Sequence, residues 1–278
     1  MRFGVLIIAF MAILPASAGE GGPRVVSLDS CSDQLVLALA DDNQIIALSR
    51  DSQGAFSYYK ERARGFPQHS GTPEEILLLR PEMVLSTGAG DPALAAMLEE
   101  LGIQVVSTGL PATIEEALED LEFVGEVLGQ AEKAQILKAK TEATLEDLKA
   151  GGRLDRNALY LSPSGITTGS GTFLHQTIEL AGLNNLLADE GVRGWSSFVI
   201  EQFIQLKPDV LITSFFDRRA GQQMSWRFAE HPAMREAMEG VPVVDIPSRY
   251  LSCPAWFAVE GAALIRQKME EKIRETAP

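Results

Sequence analysis

The chain has 278 residues, 46% of them apolar and 22% charged, enough to bury one large core or two modest ones. Its formal charge of −14, from 24 basic and 38 acidic residues, repels a phosphate backbone and excludes nucleic acid as a partner. Aromatics at 7% and a mean hydropathy of +0.04 exclude a disordered chain and a polytopic membrane protein.

The first segment in chain order is a leader. Arg2 supplies a short basic start, Gly4 to Leu14 is an unbroken apolar run, Pro15 interrupts it, and Ala16-Ser17-Ala18 forms a small-residue cleavage site. The run is too short for a spanning helix, which needs about 20 residues. No Cys follows the site, which implies a freely soluble exported protein, and no other segment is apolar enough to cross a membrane. Cleavage after Ala18 leaves 278 − 18 = 260 residues and a charge of 23 − 38 = −15. Export places Cys31 and Cys253 in an oxidising compartment, where a disulfide between them is expected if the fold brings the two ends of the chain together.

Strands are expected at Arg24 to Leu28, Ile45 to Leu48 and Val105 to Ser107, each a short apolar run. Between the last two lies EEILLLRPEMVLS, residues 74–86, read as a short helix starting near Glu74, stopped before Pro81, and followed by the strand Met83-Val84-Leu85. Residues 113–149 are rich in Glu, Leu, Ala and Lys, and Gly125 and Gly129 are expected to divide them into two helices. The second, from Ala131 to Ala150, carries apolar or small residues at 134, 137, 141, 145 and 148 on one stripe. Lys138 and Glu142 are spaced to pair on its polar side, and Gly151-Gly152 ends it. After a strand at Ala158 to Leu161, residues 168–172 (TGSGT) read as the start of a helix with capping hydroxyls, since they lack the Lys of a phosphate loop. The segment EQFIQLKPDVLIT, residues 201–213, then repeats 74–86 without a gap: Glu201 aligns with Glu74, Pro208 with Pro81, and Val210-Leu211-Ile212 with the strand. A last strand is expected at Val243 to Ile246.

Continuous apolar strands joined through helices indicate parallel sheets covered on both faces. One repeat, two copies and a long helix between them give an α/β protein of two doubly wound lobes with mainly parallel sheets, joined by one long rigid helix. The expected divisions are 1–18 (signal peptide), 19–112 (first lobe), 113–152 (linking helices) and 153–278 (second lobe). In such lobes ligands bind outside the carboxyl ends of the strands. That rule selects the loops at Ser30-Cys31, Arg50-Asp51, Thr87-Gly88, Phe215-Phe216-Asp217-Arg218 and Arg249-Tyr250, and places His69 facing the cleft. Arg50 and Arg249 either grip a carboxylate or an anionic chelate bidentately or stand as solvated arginines. Trp195, in the Gly-rich stretch GVRGWSS, is either core or a stacking platform. Three histidines without an HxH pair disfavour capture of a naked metal ion. No nucleophile elbow or triad is assembled, so neither catalytic residues nor a resident cofactor are expected.

The order of these elements resembles the periplasmic substrate-binding proteins of ABC importers for iron–siderophore complexes, cobalamin and haem. The resemblance covers the whole mature chain and rests on RVVSL, PEEILLLRPEMVL, the single long helix, TFLHQTIELAGLNNL, RGW and VIEQFIQLKPDVLI. It implies that Glu74 and Glu201 are lobe-surface carboxylates that dock on arginines of an inner-membrane permease, and that Trp195 lies against the ligand. Cobalamin-binding relatives carry a Tyr near the position of Asp51, and this chain departs from them there. The implied function is periplasmic capture of a metal chelate by a monomer. Cleft loops mixing aromatic, basic and acidic groups suit a siderophore somewhat better than a corrin, and His69 or Tyr250 would be a haem's axial ligand. The competing class is an exported two-lobed enzyme acting on a small molecule, against which the missing nucleophile–base pair and the matched glutamates argue.

Overall fold

The computed structural model describes residues 21–88, 90–162, 165–197, 205–214, 232, 236 and 238–276. The leader, Glu201, Phe215, Phe216, Asp217 and Arg218 lie outside the described residues.

In the first half, five strands form one parallel sheet: β1 (Val25–Ser27), β2 (Ile45–Ser49), β3 (Gln68–His69), β4 (Met83–Thr87) and β5 (Gln104–Thr108), in the order β3-β2-β1-β4-β5. Their apolar runs are unbroken because both faces are covered. Val25, Leu48, Met83 and Leu85 pack on one side, while Val26, Ala47 and Val84 meet Ile76 and Leu98 on the other. Helices α1 (Ser30–Leu39), α2 (Lys60–Ala63), α3 (Pro73–Leu79) and α4 (Pro92–Glu100) connect the strands.

Two packed helices follow, α5 (Ile114–Val127) and α6 (Ala131–Ala150). The break falls at Gly129, whose φ of 71° suits glycine. Gly125 corrects the expectation that it divides the pair: it lies inside α5, where a Cβ would stand 2.5 Å from that of Ala134, so it permits close packing of the two helices. The stripe on α6 faces inward, with Ala134, Thr141, Leu145 and Leu148 buried. Lys138 does not pair along its own helix as its spacing with Glu142 suggests; its ammonium reaches Glu122 of α5 at 2.7 Å, because the neighbouring helix brings a carboxylate closer.

The second half holds β6 (Asn157–Leu161), β7 (Ile166–Thr168), α7 (Phe173–Leu180), β8 (Asn184–Asn185), α8 (Leu186–Asp189), β9 (Trp195–Ser197), β10 (Val210–Thr213), β11 (Val243–Asp245) and α9 (Ala258–Thr276). Four of these strands form a parallel sheet in the order β11-β10-β6-β8, and β7 pairs with β9 as an antiparallel ribbon. Thr172 caps α7 by accepting the His175 N–H, while Thr168 ends β7 rather than opening a helix. Matched strand for strand, β8-β6-β10-β11 repeats β2-β1-β4-β5. The short strands β3, β7, β8 and β9 are too brief to show a hydrophobic period, and so escaped the sequence reading.

The internal repeat survives at the level of single backbone angles. Arg80 and Lys207, each immediately before the repeat proline, take left-handed φ values of 50° and 47°. The acid after each proline makes a reciprocal clasp. The Glu82 N–H donates to the Arg24 carbonyl at 2.9 Å and its carboxylate accepts the Arg24 N–H at 2.8 Å. The Asp209 N–H donates to the Asn157 carbonyl at 2.8 Å and its carboxylate accepts the Asn157 N–H at 2.8 Å. Each clasp locks the start of a central strand to its neighbour. One hydrophobic cluster runs through both halves, from Val25 and Leu121 to Trp256, Phe257 and Met269.

Candidate functional site

The two halves are tied together by segments that follow the carboxyl ends of their strands. Cys31, in the first turn of α1 just beyond β1, is bonded to Cys253, beyond β11, with Cα atoms 5.5 Å apart and a sequence separation of 222. Beside the bridge, the Ser252 hydroxyl donates to the Phe56 carbonyl at 2.7 Å. Tyr58 stacks on Phe257 at 4.3 Å with rings nearly parallel, and donates its hydroxyl proton to Glu260 at 2.5 Å. Burial, aided by that bond, pushes the Tyr58 phenol up, so it stays protonated. Trp256 and Tyr59 complete the aromatic seam.

The rim of the first lobe is held by carboxylates. Asp29 caps α1 by accepting the Cys31 and Ser32 N–H groups at 3.0 and 2.9 Å, and accepts the Thr87 N–H at 2.8 Å from the end of β4. Asp33, fully buried in α1, accepts from the Ser27 hydroxyl, from the Ser49 N–H at 2.9 Å and from the Ser49 hydroxyl at 2.6 Å, so it knots the carboxyl ends of β1 and β2. Desolvation pushes its pKa up to about 6 against the pull of those hydrogen bonds. The rim of the second lobe is held mainly by neutral groups, Tyr160 to Ser214 at 2.9 Å, Thr167 to the Tyr160 carbonyl at 2.6 Å and the Asn185 amide to the Thr168 carbonyl at 3.1 Å, together with the Asp245 carboxylate, which accepts the Thr213 hydroxyl at 2.8 Å where β10 and β11 end.

Exposed on this frame are Arg50 and Asp51, at the end of β2, and Trp195, at the start of β9. Trp195 is 52% exposed, its ring 6.1 Å from that of Phe173 at the N-terminus of α7, so it is a surface aromatic rather than a core one. Arg249 and Tyr250 are half-buried. The Arg249 guanidinium lies 4.8 Å over the Tyr250 ring, which packs 5.7 Å from Tyr58, so both lean on the seam between the lobes. His69 corrects the sequence reading. It is 3% exposed, and its Nε2 bonds the Ser27 carbonyl at 2.7 Å, because β3 joins the edge of the sheet and turns the ring inward. Glu74 is exposed in the first turn of α3 and makes no hydrogen bond or ion pair among the described residues; its neighbour Glu75 is the one occupied, accepting from the Ser70 N–H and hydroxyl at 2.7 and 2.5 Å.

Residues of this site that were not singled out from sequence include Asp33, Phe56, Tyr58 and Ser252. Only Asp33 left a trace there, as a lone acid in the apolar helix segment SCSDQLVLAL. Among the described residues no cluster of His, Cys, Asp or Glu could hold a metal ion, and no helix is long and apolar enough to cross a membrane. The geometry describes two lobes fastened to each other by the disulfide and the aromatic seam, with Arg50, Asp51 and Trp195 exposed outside that seam.

Comparison with known proteins agrees with this frame. A family model described as periplasmic binding protein matches residues 25–250. A vitamin B12-binding protein of Yersinia pseudotuberculosis is 28% identical over 222 residues, spanning 77% of this chain and 76% of its own. Among solved structures, the apo periplasmic heme-binding protein RhuT of Roseiflexus sp. RS-1 superposes with a TM-score of 0.69 at 22% identity, covering 89% of this chain and 99% of its own. An ABC-type Fe3+-hydroxamate transport system structure from Saccharomonospora viridis superposes at 0.67 with 21% identity, covering 90% and 94%. These two share the fold.

Proposed function

The chain belongs to the periplasmic binding protein family, and on that premise we propose that it is the solute-binding component of an ABC importer, capturing a metal chelate in the interlobe cleft. The chelate is an iron–siderophore complex or cobalamin, and the protein delivers it to an inner-membrane permease. The observation that supports the reading is the Cys31–Cys253 bond, which ties the two lobes together beyond the carboxyl ends of β1 and β11, while Arg50 and Asp51 of one lobe and Trp195 of the other stand exposed. Cleavage after Ala18 releases a monomer into the periplasm, with lobes at 19–112 and 153–278 held apart by 113–152. The protein performs no chemistry on its cargo: cleft loops bind, and the lobe surfaces report the loaded state.

Docking falls to Glu74 and Glu201, which hold the same offset in the two repeat copies. Two carboxylates set far apart on one side would fix the register of a partner presenting two arginines. Burial of His69 removes one of the two candidate axial ligands for haem, which ranks haem behind the other chelates.

Intrinsic tryptophan fluorescence, titrated with cyanocobalamin, a ferric hydroxamate and haem, tests the ligand. One of them should quench with saturation, and Trp195→Phe should remove most of the signal. Silence from all three sinks the chelate reading. The double variant Glu74→Ala, Glu201→Ala should bind the same chelate unchanged yet fail to stimulate the importer; normal transport would refute the docking assignment.

A further inference from the structure

The ties between the first lobe and the rest of the chain differ in kind. The Cys31–Cys253 bond is covalent, and the Ser252 hydroxyl meets a backbone carbonyl at Phe56. A third tie is made by side-chain tips and gathers three elements on one carboxylate. Glu260, in the first turn of α9, accepts the Tyr58 hydroxyl proton at 2.5 Å from the loop that follows β2, and its other oxygen faces the Lys140 ammonium of α6 at 3.4 Å. Tyr58 is steadied over the start of the same helix by its stack on Phe257. Burial keeps the phenol protonated, so the bond has a fixed direction. Tyr58, Lys140 and Glu260 also line a small cavity, with Tyr59, Thr141 and Trp256, that has room for about two water molecules. The loop and α6 are therefore not packed solidly at this point, and the chain of three side chains spans the gap.

We propose that Tyr58, Glu260 and Lys140 form a salt-sensitive latch that sets the angle between the two lobes. A swing of one lobe about the disulfide leaves the covalent tie intact but has to pull Tyr58 away from α9. Because α9 packs on α6 and α7, Glu260 and Lys140 move with the second lobe while Tyr58 moves with the first. The two bonds to Glu260 therefore play unequal parts. The bond from Tyr58 crosses between the lobes and closes the latch. The bond from Lys140 stays on one side, and makes Lys140 a positioning residue that holds the carboxylate where the phenol meets it. Side-chain exposure is 34% for Glu260 and 70% for Lys140, so salt screens their pairing. The Tyr58 bond, from a neutral donor on a half-buried ring, loses far less to salt. The latch belongs to the chain itself and does not depend on which ligand the protein carries.

The test reads the interlobe distance by pulsed electron spin resonance on the full mature chain without any ligand, with nitroxides on Glu100→Cys at the end of α4 and Glu190→Cys after α8, both exposed positions. At low salt the parent should give one narrow distance. Tyr58→Phe keeps the stack and loses the bond, and should raise the population at other distances about fivefold, with circular dichroism unchanged. Lys140→Gln should raise it about twofold in the parent and add nothing in the Tyr58→Phe background, since it acts only through Glu260. Glu260→Gln still accepts from Tyr58 but cannot pair with Lys140, so it should match Lys140→Gln. Salt at about 1 M should reproduce the Lys140→Gln distribution in the parent and leave the Lys140→Gln chain as it was. An unchanged distance in Tyr58→Phe overturns the latch. Equal effects of Lys140→Gln in both backgrounds, or no response of the parent to salt, overturn the role of Lys140 and the salt sensitivity with it. Because no chelate enters the measurement, its failure and the failure of the chelate reading are told apart.

Discussion

The first lobe fastens its rim through carboxylates, one of them fully buried, and the second mainly through hydroxyls and an amide, although both hang on the same strand order. Each lobe starts its central strands with the same clasp, Glu82 on Arg24 in one and Asp209 on Asn157 in the other. At the opposite end of the strands the likeness stops. Asp33 ties Ser27 to Ser49 from a fully buried position, whereas Tyr160, Ser214, Thr167, Thr168 and Asn185 bond in the second rim without charge, and the carboxylate that takes part there, Asp245 on the Thr213 hydroxyl, stands half-buried on an edge strand. The strand frame is set by burial of apolar runs, which the repeat preserves. The rim is set by whatever polar groups satisfy the strand ends, and several solutions serve. A fully buried carboxylate titrates above its ordinary range while hydroxyls and amides do not titrate, so pH acts on the first rim through Asp33.

The largest effect on this comparison should come from opening the bridge. Cys31→Ser with Cys253→Ser frees a very long loop and should cost about 4 kcal/mol in urea unfolding. The transition should stay single, because one hydrophobic cluster spans both lobes. A melt that splits in two would show that the lobes are separate folding units.

Next comes the carboxylate knot. Asp33→Ala strands two serine hydroxyls and the Ser49 N–H and should cost about 3 kcal/mol, while Asp33→Asn, which keeps the shape and most of the bonds, should stay within about 1 kcal/mol of the parent at pH 7. The pH dependence sharpens the contrast. Asp33 holds its proton more tightly in the folded chain, with the pKa raised from 3.8 to about 6. Its contribution to stability is therefore fully present below about pH 4 and lost as pH rises through about 6, at most about 3 kcal/mol. Unfolding at a series of pH values should show that slope in the parent and not in Asp33→Asn. An unchanged slope would mean that the proton sits elsewhere.

The clasps should behave as equals. Glu82→Ala and Asp209→Ala should each cost about 1 kcal/mol and add in the double variant, since they lie in different lobes. A loss from one and none from the other would break the equivalence of the two copies. Smallest is the backbone term. Arg80→Gly and Lys207→Gly relieve left-handed angles and should each stabilise by about 0.5 kcal/mol, net of the entropy glycine adds to the unfolded chain.

Much of the frame was legible in the residues. Val25-Val26, Ile45 to Leu48, Met83 to Leu85, Ala158 to Leu161 and Val210 to Ile212 all announce buried parallel strands, and the proline of each repeat copy marks the helix stop before it. The site was legible only in part. Arg50, Asp51, Trp195 and Glu74 stand exposed, as a reading of loops and helix starts would place them. His69 went the other way, because a two-residue edge strand turns it inward, and no hydrophobic period announces so short a strand. Lys138 chose a neighbour on another helix over one on its own.

The division follows range. Period, proline and glycine act over a few residues, so the chain by itself determined its α/β class, its two repeat copies and the long helix between them. Contacts across many residues, such as Ser252 to Phe56, Tyr58 to Glu260 and Cys31 to Cys253, have no local signature. Which aromatic rings are swallowed by the seam between the lobes and which stand free at the cleft depends on how two separately wound sheets come to rest against each other. Only the tertiary structure decided that, because burial is a property of the packed whole and not of any segment.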